Sequence, residues 1–193
     1  MKKIIPSFLT VLNLICGCFA IALAFQFQFE AVLILVCLGN FFDFLDGFAA
    51  RALNSVTNFG KHLDSITDVI TSGVVPGVVV FQLFKLSGNK VSDFEVLIFG
   101  YDLIFSLSPI SFIAFLITIG SAIRLSKFNS SIGNDEFIGL PTPANAIFFS
   151  ALPVLINSEL FIESKEIFLN NYFLISSNLF SVFLMNAQFR LFS

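Results

Sequence analysis

The stretch that decides this fold reads Asp43-Phe44-Leu45-Asp46-Gly47-Phe48-Ala49-Ala50-Arg51, and it continues to Gly60, Asp64 and Asp68. It places four carboxylates and one arginine within 26 residues of a chain that is 56% hydrophobic. Each charge at the centre of a bilayer costs about 3 kcal/mol on insertion scales. Acids at this density therefore need to face one another, water or a cation.

The remaining composition indicates an integral membrane protein. Only 12% of the 193 residues are charged, against about 25% in soluble domains, and the mean hydropathy is +0.93. A membrane span needs about 20 apolar residues. Six runs are predicted as spans, at 5–25, 31–53, 60–84, 96–119, 144–156 and 167–189. We therefore expect a single all-α membrane domain over residues 1–193, with six transmembrane helices and a polar active-site cavity.

The basic residues predict the orientation of these six spans. An even number of spans places both termini on one side, and that side collects seven Lys and Arg residues against three on the other. The seven are Lys2, Lys3, Arg51, Lys61, Arg124, Lys127 and Arg190. Basic residues are enriched on the cytoplasmic side of membrane proteins. We therefore expect a multi-pass protein of the cell membrane, with both termini and the active site in the cytoplasm.

The spacing of the acids predicts that they meet. Asp43 and Asp46 are three residues apart and Asp64 and Asp68 are four apart, so each pair shares one helix face. The two helices are consecutive and antiparallel, and a divalent cation would relieve the repulsion between the pairs. Since His62 is the only histidine, oxygen ligands favour Mg²⁺, Mn²⁺ or Ca²⁺ over zinc. Four carboxylates are enough for two ions, the arrangement suited to phosphoryl chemistry.

The residues between the acids suit a phosphate-bearing substrate. Gly47 and Ala50 leave room for a ligand beside the helix, and Arg51 offers a planar fork to phosphate oxygens. Gly60 opens the third helix, where unpaired N–H groups tolerate an anion. Two other interpretations remain: the acids could brace two helices through ion pairs, or they could line a cation pathway. One arginine for four aspartates leaves the first of these unbalanced.

The pattern D-x2-D-G-x2-A-R-x8-G-x3-D-x3-D resembles the signature of the CDP-alcohol phosphatidyltransferases, and every fixed position is filled. The resemblance implies a six-helix membrane fold with a two-metal site that binds Mg²⁺ or Mn²⁺. It also implies transfer of a phosphatidyl group from a CDP-linked lipid to an alcohol, with release of CMP. A homodimer in the membrane lipid is implied as well, and nucleic acid is not expected as a partner.

Further stretches look like the membrane-embedded bacterial phosphatidylserine synthases of this family. They are Leu-Asn-Leu-Ile-Cys-Gly at 12–17, Leu-Asp-Ser at 63–65, Arg-Leu-Ser-Lys-Phe-Asn at 124–129 and Phe-Ile-Gly-Leu-Pro-Thr-Pro at 137–143. This similarity implies CDP-diacylglycerol and L-serine as substrates. Glycerol 3-phosphate or an inositol phosphate is the alternative acceptor, although such acceptors would favour more basic residues near the site. A cation transporter is the rival hypothesis from another class.

The family resemblance also implies roles for individual residues. Asp43, Asp46 and Asp64 would bind metal, and Asp68 would bind the second metal and act as the general base. The CDP-lipid would contact five further residues, namely Gly47, Arg51, Thr57, Gly60 and Asn13. For Asn13, a helix–helix hydrogen bond is the alternative.

Recognition of the serine carboxylate is assigned to two basic residues at the end of the fourth span. Arg124 and Lys127 are the candidates for this role. The alternative is that their long side chains extend to the membrane surface and bind no substrate.

Overall fold

The chain folds mainly into helices, which the computed structural model describes over residues 4–88, 92–98, 101–130, 139–159, 161 and 165–187. The first four are α1 (Ile4–Phe25), α2 (Phe29–Ala52), α3 (Asn58–Asp68) and α4 (Val75–Leu86), with a π-helical segment (Val69–Val74) joining α3 to α4. Strands β1 (Ser92–Ile98) and β2 (Tyr101–Leu107) pair as an antiparallel hairpin. A 3-10 helix (Pro109–Phe115) then leads into α5 (Leu116–Ser130), and the remaining helices are α6 (Thr142–Asn157), α7 (Lys165–Phe168) and α8 (Asn171–Asn186).

Four of the described helices are long and apolar enough to cross a membrane. They cover Ile4–Phe25, Phe29–Ala52, Asn58–Leu86 and Pro109–Phe128. The first three agree closely with the predicted spans. The prediction that the chain is a membrane protein built mainly of helices is confirmed. Helices α6 and α8 have 16 residues each, which rise only about 24 Å. Both are therefore shorter than the roughly 30 Å of hydrocarbon in a typical bilayer.

The predicted fourth span is wrong in its first half. Residues 96–107 were expected to belong to this span, with an interruption near 106–109, but β1 and β2 occupy most of this range and the helix starts only at Pro109. The run is rich in β-branched and aromatic residues, which favour strands. Proline suits the first turn of a helix but disfavours helical geometry in the residue before it. A hydropathy window registers only that the run is apolar, so it cannot separate a hairpin from a span.

The predicted sixth span, 167–189, is also divided. Helix α7 ends at Phe168, and α8 begins after Asn170, whose side chain accepts a hydrogen bond from the Tyr172 N–H. Asn170 has extended backbone dihedral angles, as an N-cap residue does. The capping asparagine therefore restarts the helix, and the last residues of the predicted span, 188 and 189, lie outside the described residues.

The helix pair α3–α4 lies at the centre of the bundle. In its most apolar window 72% of the residues are buried, against 33%, 22% and 28% in the other three long helices. One apolar core joins α4 to α1 and α2, and another joins it to the 3-10 helix, α5, α6 and α8. Gly77 permits the approach of α5, because a Cβ there would lie 2.6 Å from Thr118 Oγ1. The N-terminal half of this central helix carries Asp64 and Asp68.

The π-helical segment explains how Pro76 fits into this central helix. Proline has no N–H and its ring clashes with the carbonyl four residues earlier in an α-helix. The chain widens into the π-helical segment immediately before Val75 and Pro76. Such segments occur frequently at functional sites. Here the widened turn starts directly after Asp68.

Candidate active site

Three of the four predicted acids form one close group. Asp43 on α2 and Asp64 and Asp68 on α3 each present a carboxylate oxygen, and these three oxygens lie within 4.8 Å of one another. All three residues are partly buried. The spacing of the acids had predicted that the facing surfaces of these two helices would meet, and the structure brings these residues together.

Asp46 is placed differently from the other acids. It lies one turn beyond Asp43, is only 5% exposed, and its Oδ2 atom accepts a hydrogen bond from Thr10 Oγ1 on α1. It is not part of the close group of three, but it lines a cleft together with Asp64. The acids therefore divide into a tight group between α2 and α3 and a fourth carboxylate held from α1.

The cleft beside the acids has a volume of about 170 Å³. It lies between the start of α1, the end of α2 and the start of α3, and it contains four of the predicted CDP-lipid contacts. These are Gly47, Arg51, Thr57 and Gly60. Because carboxylates line one part of the cleft and Arg51 lines another, it offers cation ligands and an anion contact within a single space.

Gly47 leaves open space in this cleft. A Cβ added at this position would meet only the Nη2 atom of Arg51, at 3.9 Å. Packing within the protein therefore does not demand glycine here. The absent side chain keeps the path along α2 between Asp46 and Arg51 clear for a ligand.

Thr57 caps the start of α3. Its backbone is extended, with φ −129° and ψ 152°, and its hydroxyl accepts a 3.0 Å hydrogen bond from the Gly60 N–H. The expectation that the Gly60 N–H would be unpaired and ready for an anion is therefore wrong, because a threonine at the N-cap uses it. A hydroxyl that accepts one hydrogen bond still has its own proton to donate. Thr57 rather than Gly60 thus offers a donor at this end of the cleft.

Asn13 is not among the residues that line the cleft. It is fully buried in α1, and a Cβ on Gly39 of α2 would approach its Oδ1 atom to 2.8 Å. Neither side-chain polar atom of Asn13 has a hydrogen-bond partner among the described residues. The predicted helix–helix hydrogen bond is thus not formed within the described residues, and the CDP-lipid contact stays a prediction.

Arg124 and Lys127 lie on α5, outside the cleft. Helix α5 runs antiparallel to the central helix, since Thr118 bonds the Gly73 carbonyl at 3.0 Å and Ser121 approaches the Ser72 carbonyl at 3.5 Å. Continuing this register by one turn places Arg124 at the level of Asp68. Its Nε atom is buried and has no hydrogen-bond partner among the described residues. Lys127, in the last turn of α5, is exposed.

Several residues that line the cleft were not predicted from the sequence as site residues, among them Thr10, Ser55 and Lys61. Thr10 lies three residues before Asn13 on the same face of α1, and this spacing could have identified it. Ser55 is 6% exposed and follows Asn54, which lies just after the end of α2 and has a positive φ of 49°. No sequence pattern distinguishes Ser55 from other residues of a short connection, or Lys61 from other residues in the first turn of a helix.

The donor atoms at this site fit a hard divalent cation. The ligands are carboxylate oxygens only, the set that Mg²⁺ and Mn²⁺ prefer in proteins. The Oδ1 atom of Asp64 is buried and has no hydrogen-bond partner among the described residues. A buried carboxylate oxygen needs such a partner or a positive charge, and a bound cation would supply it.

Known proteins resemble the chain along most of its length. The family described as CDP-alcohol phosphatidyltransferase matches residues 3–183. A CDP-diacylglycerol–serine O-phosphatidyltransferase of Bacillus subtilis is 32% identical over 144 residues, which cover 72% of this chain and 69% of that protein. The enzyme of the same name from Methanocaldococcus jannaschii is 34% identical over 162 residues, covering 83% and 66% respectively.

An archaeal relative carries a different name. An archaetidylserine synthase of Methanothermobacter thermautotrophicus is 31% identical over 150 residues, which cover 76% of this chain and 56% of that protein. The aligned region thus spans 56–69% of the length of these relatives. All three names refer to serine or to a serine lipid.

Proposed function

Because the chain belongs to the CDP-alcohol phosphatidyltransferase family, we propose that it transfers the phosphatidyl group of CDP-diacylglycerol to the hydroxyl of L-serine and releases CMP. The observation that carries this proposal is the group formed by Asp43, Asp64 and Asp68 beside a cleft that also contains Arg51. The choice of serine rests on the names of the relatives. Their aligned regions cover only part of each protein, so the substrates belong to the proposal.

The cleft would hold the diphosphate of the CDP-lipid. Arg51 would bind phosphate oxygens through its guanidinium, Thr57 would donate its hydroxyl, and Gly47 would let the diphosphate lie against α2. Asp43, Asp46 and Asp64 would hold a divalent cation, and Asp68 would bind a second cation. When bound, Mg²⁺ or Mn²⁺ would neutralise the negative charge that develops on the diphosphate oxygens.

Asp68 would serve as the general base. It would accept the proton of the serine hydroxyl while that oxygen forms a bond to the lipid-linked phosphorus. The bond from this phosphorus to the CMP oxygen breaks at the same centre, so CMP leaves with the electron pair. Two observations support this role. Asp68 directly precedes the widened π-helical segment, and its carboxylate lies beside those of the two other acids.

Arg124 is the proposed contact for the serine carboxylate. It lies at the level of Asp68 by the register of α5, and its buried Nε lacks a partner among the described residues. An ionised carboxylate would satisfy it. Lys127 is one turn further along and exposed, so we assign it the weaker attraction of serine toward the site.

We extend the proposal to the arrangement in the membrane. Six crossings would be made by α1, α2, the α3–α4 pair, the 3-10 helix with α5, α6 and α8, with both termini and the acids on the cytoplasmic side. The hairpin β1–β2 would then lie outside. The short helices α6 and α8 would cross by locally thinning the bilayer. A single domain over 1–193 and a homodimer stay predictions.

The first prediction concerns the acceptor. Purified protein in micelles containing CDP-diacylglycerol and Mn²⁺ should convert labelled L-serine to phosphatidylserine, with one CMP released for each serine incorporated. Labelled glycerol 3-phosphate and inositol phosphate should not be incorporated. Addition of a chelator is the control, and it should stop both products together.

Two results would contradict the proposal. Use of another alcohol in place of serine would retain the reaction class but reject the acceptor. Movement of Mn²⁺ into liposomes without any release of CMP would instead favour a cation transporter.

The second prediction concerns Arg124. Replacement by alanine should raise the KM for serine about 10- to 100-fold, because a hydrogen bond to a charged group contributes about 1.5–3 kcal/mol. The KM for CDP-diacylglycerol should stay close to that of the wild type. Lys85→Ala, which removes a positive charge from the last turn of α4, is the control and should change neither KM. An equal increase in both KM values for Arg124→Ala would reject a specific serine contact.

A further inference from the structure

A buried hydrogen bond connects α1 to the acidic motif on α2. The Oγ1 atom of Thr10 lies within hydrogen-bond distance of Asp46 Oδ2, although the two residues are 36 positions apart. Thr10 is 3% exposed and Asp46 is 5% exposed, and both line the cleft. The two side chains are therefore held together next to the proposed substrate, with little solvent around them.

Thr10 has two acceptors for one proton. Threonine within a helix often donates its hydroxyl to the carbonyl four residues earlier, and the Pro6 carbonyl lies 3.0 Å from Thr10 Oγ1. The hydroxyl has only one proton to donate. An ionised carboxylate is a stronger acceptor than a neutral carbonyl. When Asp46 is ionised, the Thr10 hydroxyl therefore donates its hydrogen bond to Asp46 rather than to the Pro6 carbonyl.

This bond restricts the orientation of the Asp46 carboxylate. One of its oxygens is held by α1, which leaves the other to face a cation at the cleft. Asp46 is the predicted ligand that lies outside the close group of Asp43, Asp64 and Asp68, and its described hydrogen-bond partner is Thr10 on another helix. Hydrogen-bond partners of metal ligands commonly fix the ligand orientation and strengthen metal binding.

The contact is not needed to hold α1 against α2. Further along these helices Ala20 and Ala24 of α1 share a fully buried apolar core with Val32 and Val36 of α2. Closer to the site, Gly39 allows α2 to approach Asn13. The helices are therefore joined by apolar packing at several turns. The Thr10 hydroxyl can thus act on the orientation of the Asp46 carboxylate without being needed for the packing of the two helices.

We propose that Thr10 is a positioning residue, whose hydroxyl orients Asp46 as a cation ligand and thereby sets the cation affinity of the site. The inference rests on the proposed function, because that function gives Asp46 its cation. It goes beyond the family pattern, in which the ligands are the four aspartates alone.

The test measures Mn²⁺ binding directly in the purified, full-length protein in detergent, from the electron paramagnetic resonance signal of free Mn²⁺. Thr10→Val, which keeps the shape and removes the hydroxyl, should raise the Kd about 10- to 100-fold, the usual effect of losing such a partner. Thr10→Ser, which keeps the hydroxyl, should stay within about threefold of the wild type. Thr118→Val is the matched control, since it removes another hydrogen bond between helices, and it should leave the Kd unchanged.

Equal Mn²⁺ affinity in Thr10→Val and wild type would overturn the inference. It would also be overturned if Thr10→Ser lost as much affinity as Thr10→Val, because packing would then be the cause. Wild-type protein that transfers phosphatidyl groups but binds no Mn²⁺ would reject the cation site itself. Measurable Mn²⁺ binding that is equally tight in the wild type and in Thr10→Val would instead reject only the role of Thr10 and leave the cation site in place.

A second comparison covers the case in which Thr10→Val does not fold. Thr10→Cys and Thr10→Ser differ mainly in donor strength, because a thiol is a weak donor. Thr10→Cys should bind Mn²⁺ more weakly than Thr10→Ser, and equal affinities would overturn the inference. In the background of Asp46→Asn, the same two variants should bind Mn²⁺ equally, since the carboxylate that distinguishes them is gone.

Discussion

Replacing Asp68 with asparagine is expected to lower the rate of phosphatidyl transfer about 10²- to 10⁴-fold, the usual contribution of a general base. Asparagine has nearly the same shape but cannot accept the serine proton. The proposed contacts of Arg51 and Thr57 with the diphosphate would be unchanged by this substitution. The Kd for CDP-diacylglycerol, measured by equilibrium binding of the lipid labelled in its nucleotide, should therefore stay within about threefold of the wild-type value.

The Asp68 prediction needs a control because Asp68 also belongs to the close acidic group. The rate should be measured over a range of Mn²⁺ concentrations, since a defect due only to weaker cation binding would be restored by more Mn²⁺. Glu30→Gln makes the same acid-to-amide change on an exposed residue in the first turn of α2, and it should keep full activity. Full recovery of Asp68→Asn at high Mn²⁺ would show that Asp68 is a ligand and not the base.

The acidic site was predictable from the sequence because its parts follow from helix periodicity. Spacings of three and four residues place acids on one face, and a short connection between α2 and α3 makes those faces meet. That argument identified Asp43, Asp64 and Asp68 as neighbours. It could not separate Asp46 from them, because the hydrogen-bond partner of Asp46 is Thr10 on another helix. A contact between two residues 36 positions apart on different helices leaves no periodic signal in the sequence.

The fold was predictable only where apolar length was a sufficient criterion. The helices α1 and α2 and the α3–α4 pair satisfy that criterion and were found nearly at their bounds. The hairpin β1–β2 was missed because β-branched and aromatic residues raise hydropathy as much as leucine does while favouring strands. The use of the Gly60 N–H was missed for a related reason, since only the cap geometry of Thr57 shows that the N–H is already paired.

Neutralising Asp43 is expected to stabilise the cation-free protein and to abolish its response to Mn²⁺. When both are ionised, two carboxylates about 5 Å apart repel by roughly 3 kcal/mol at the effective dielectric of a protein surface. Asp43 shares the close group with both Asp64 and Asp68, so Asp43→Asn removes two of the three repulsive pairs. In the presence of a chelator, the Tm of Asp43→Asn measured by circular dichroism should therefore exceed that of the wild type.

Mn²⁺ should reverse this order. It should raise the Tm of the wild type by several degrees, because a ligand that binds only the folded state stabilises it. Asp43→Asn should show little increase and should lose phosphatidyl transfer. Glu166→Gln in the exposed helix α7 is the matched control, and it should behave as the wild type does with and without Mn²⁺. A wild-type Tm that does not change with Mn²⁺, together with a lower Tm for Asp43→Asn, would mean that the acids stabilise the packing of the helices and bind no cation.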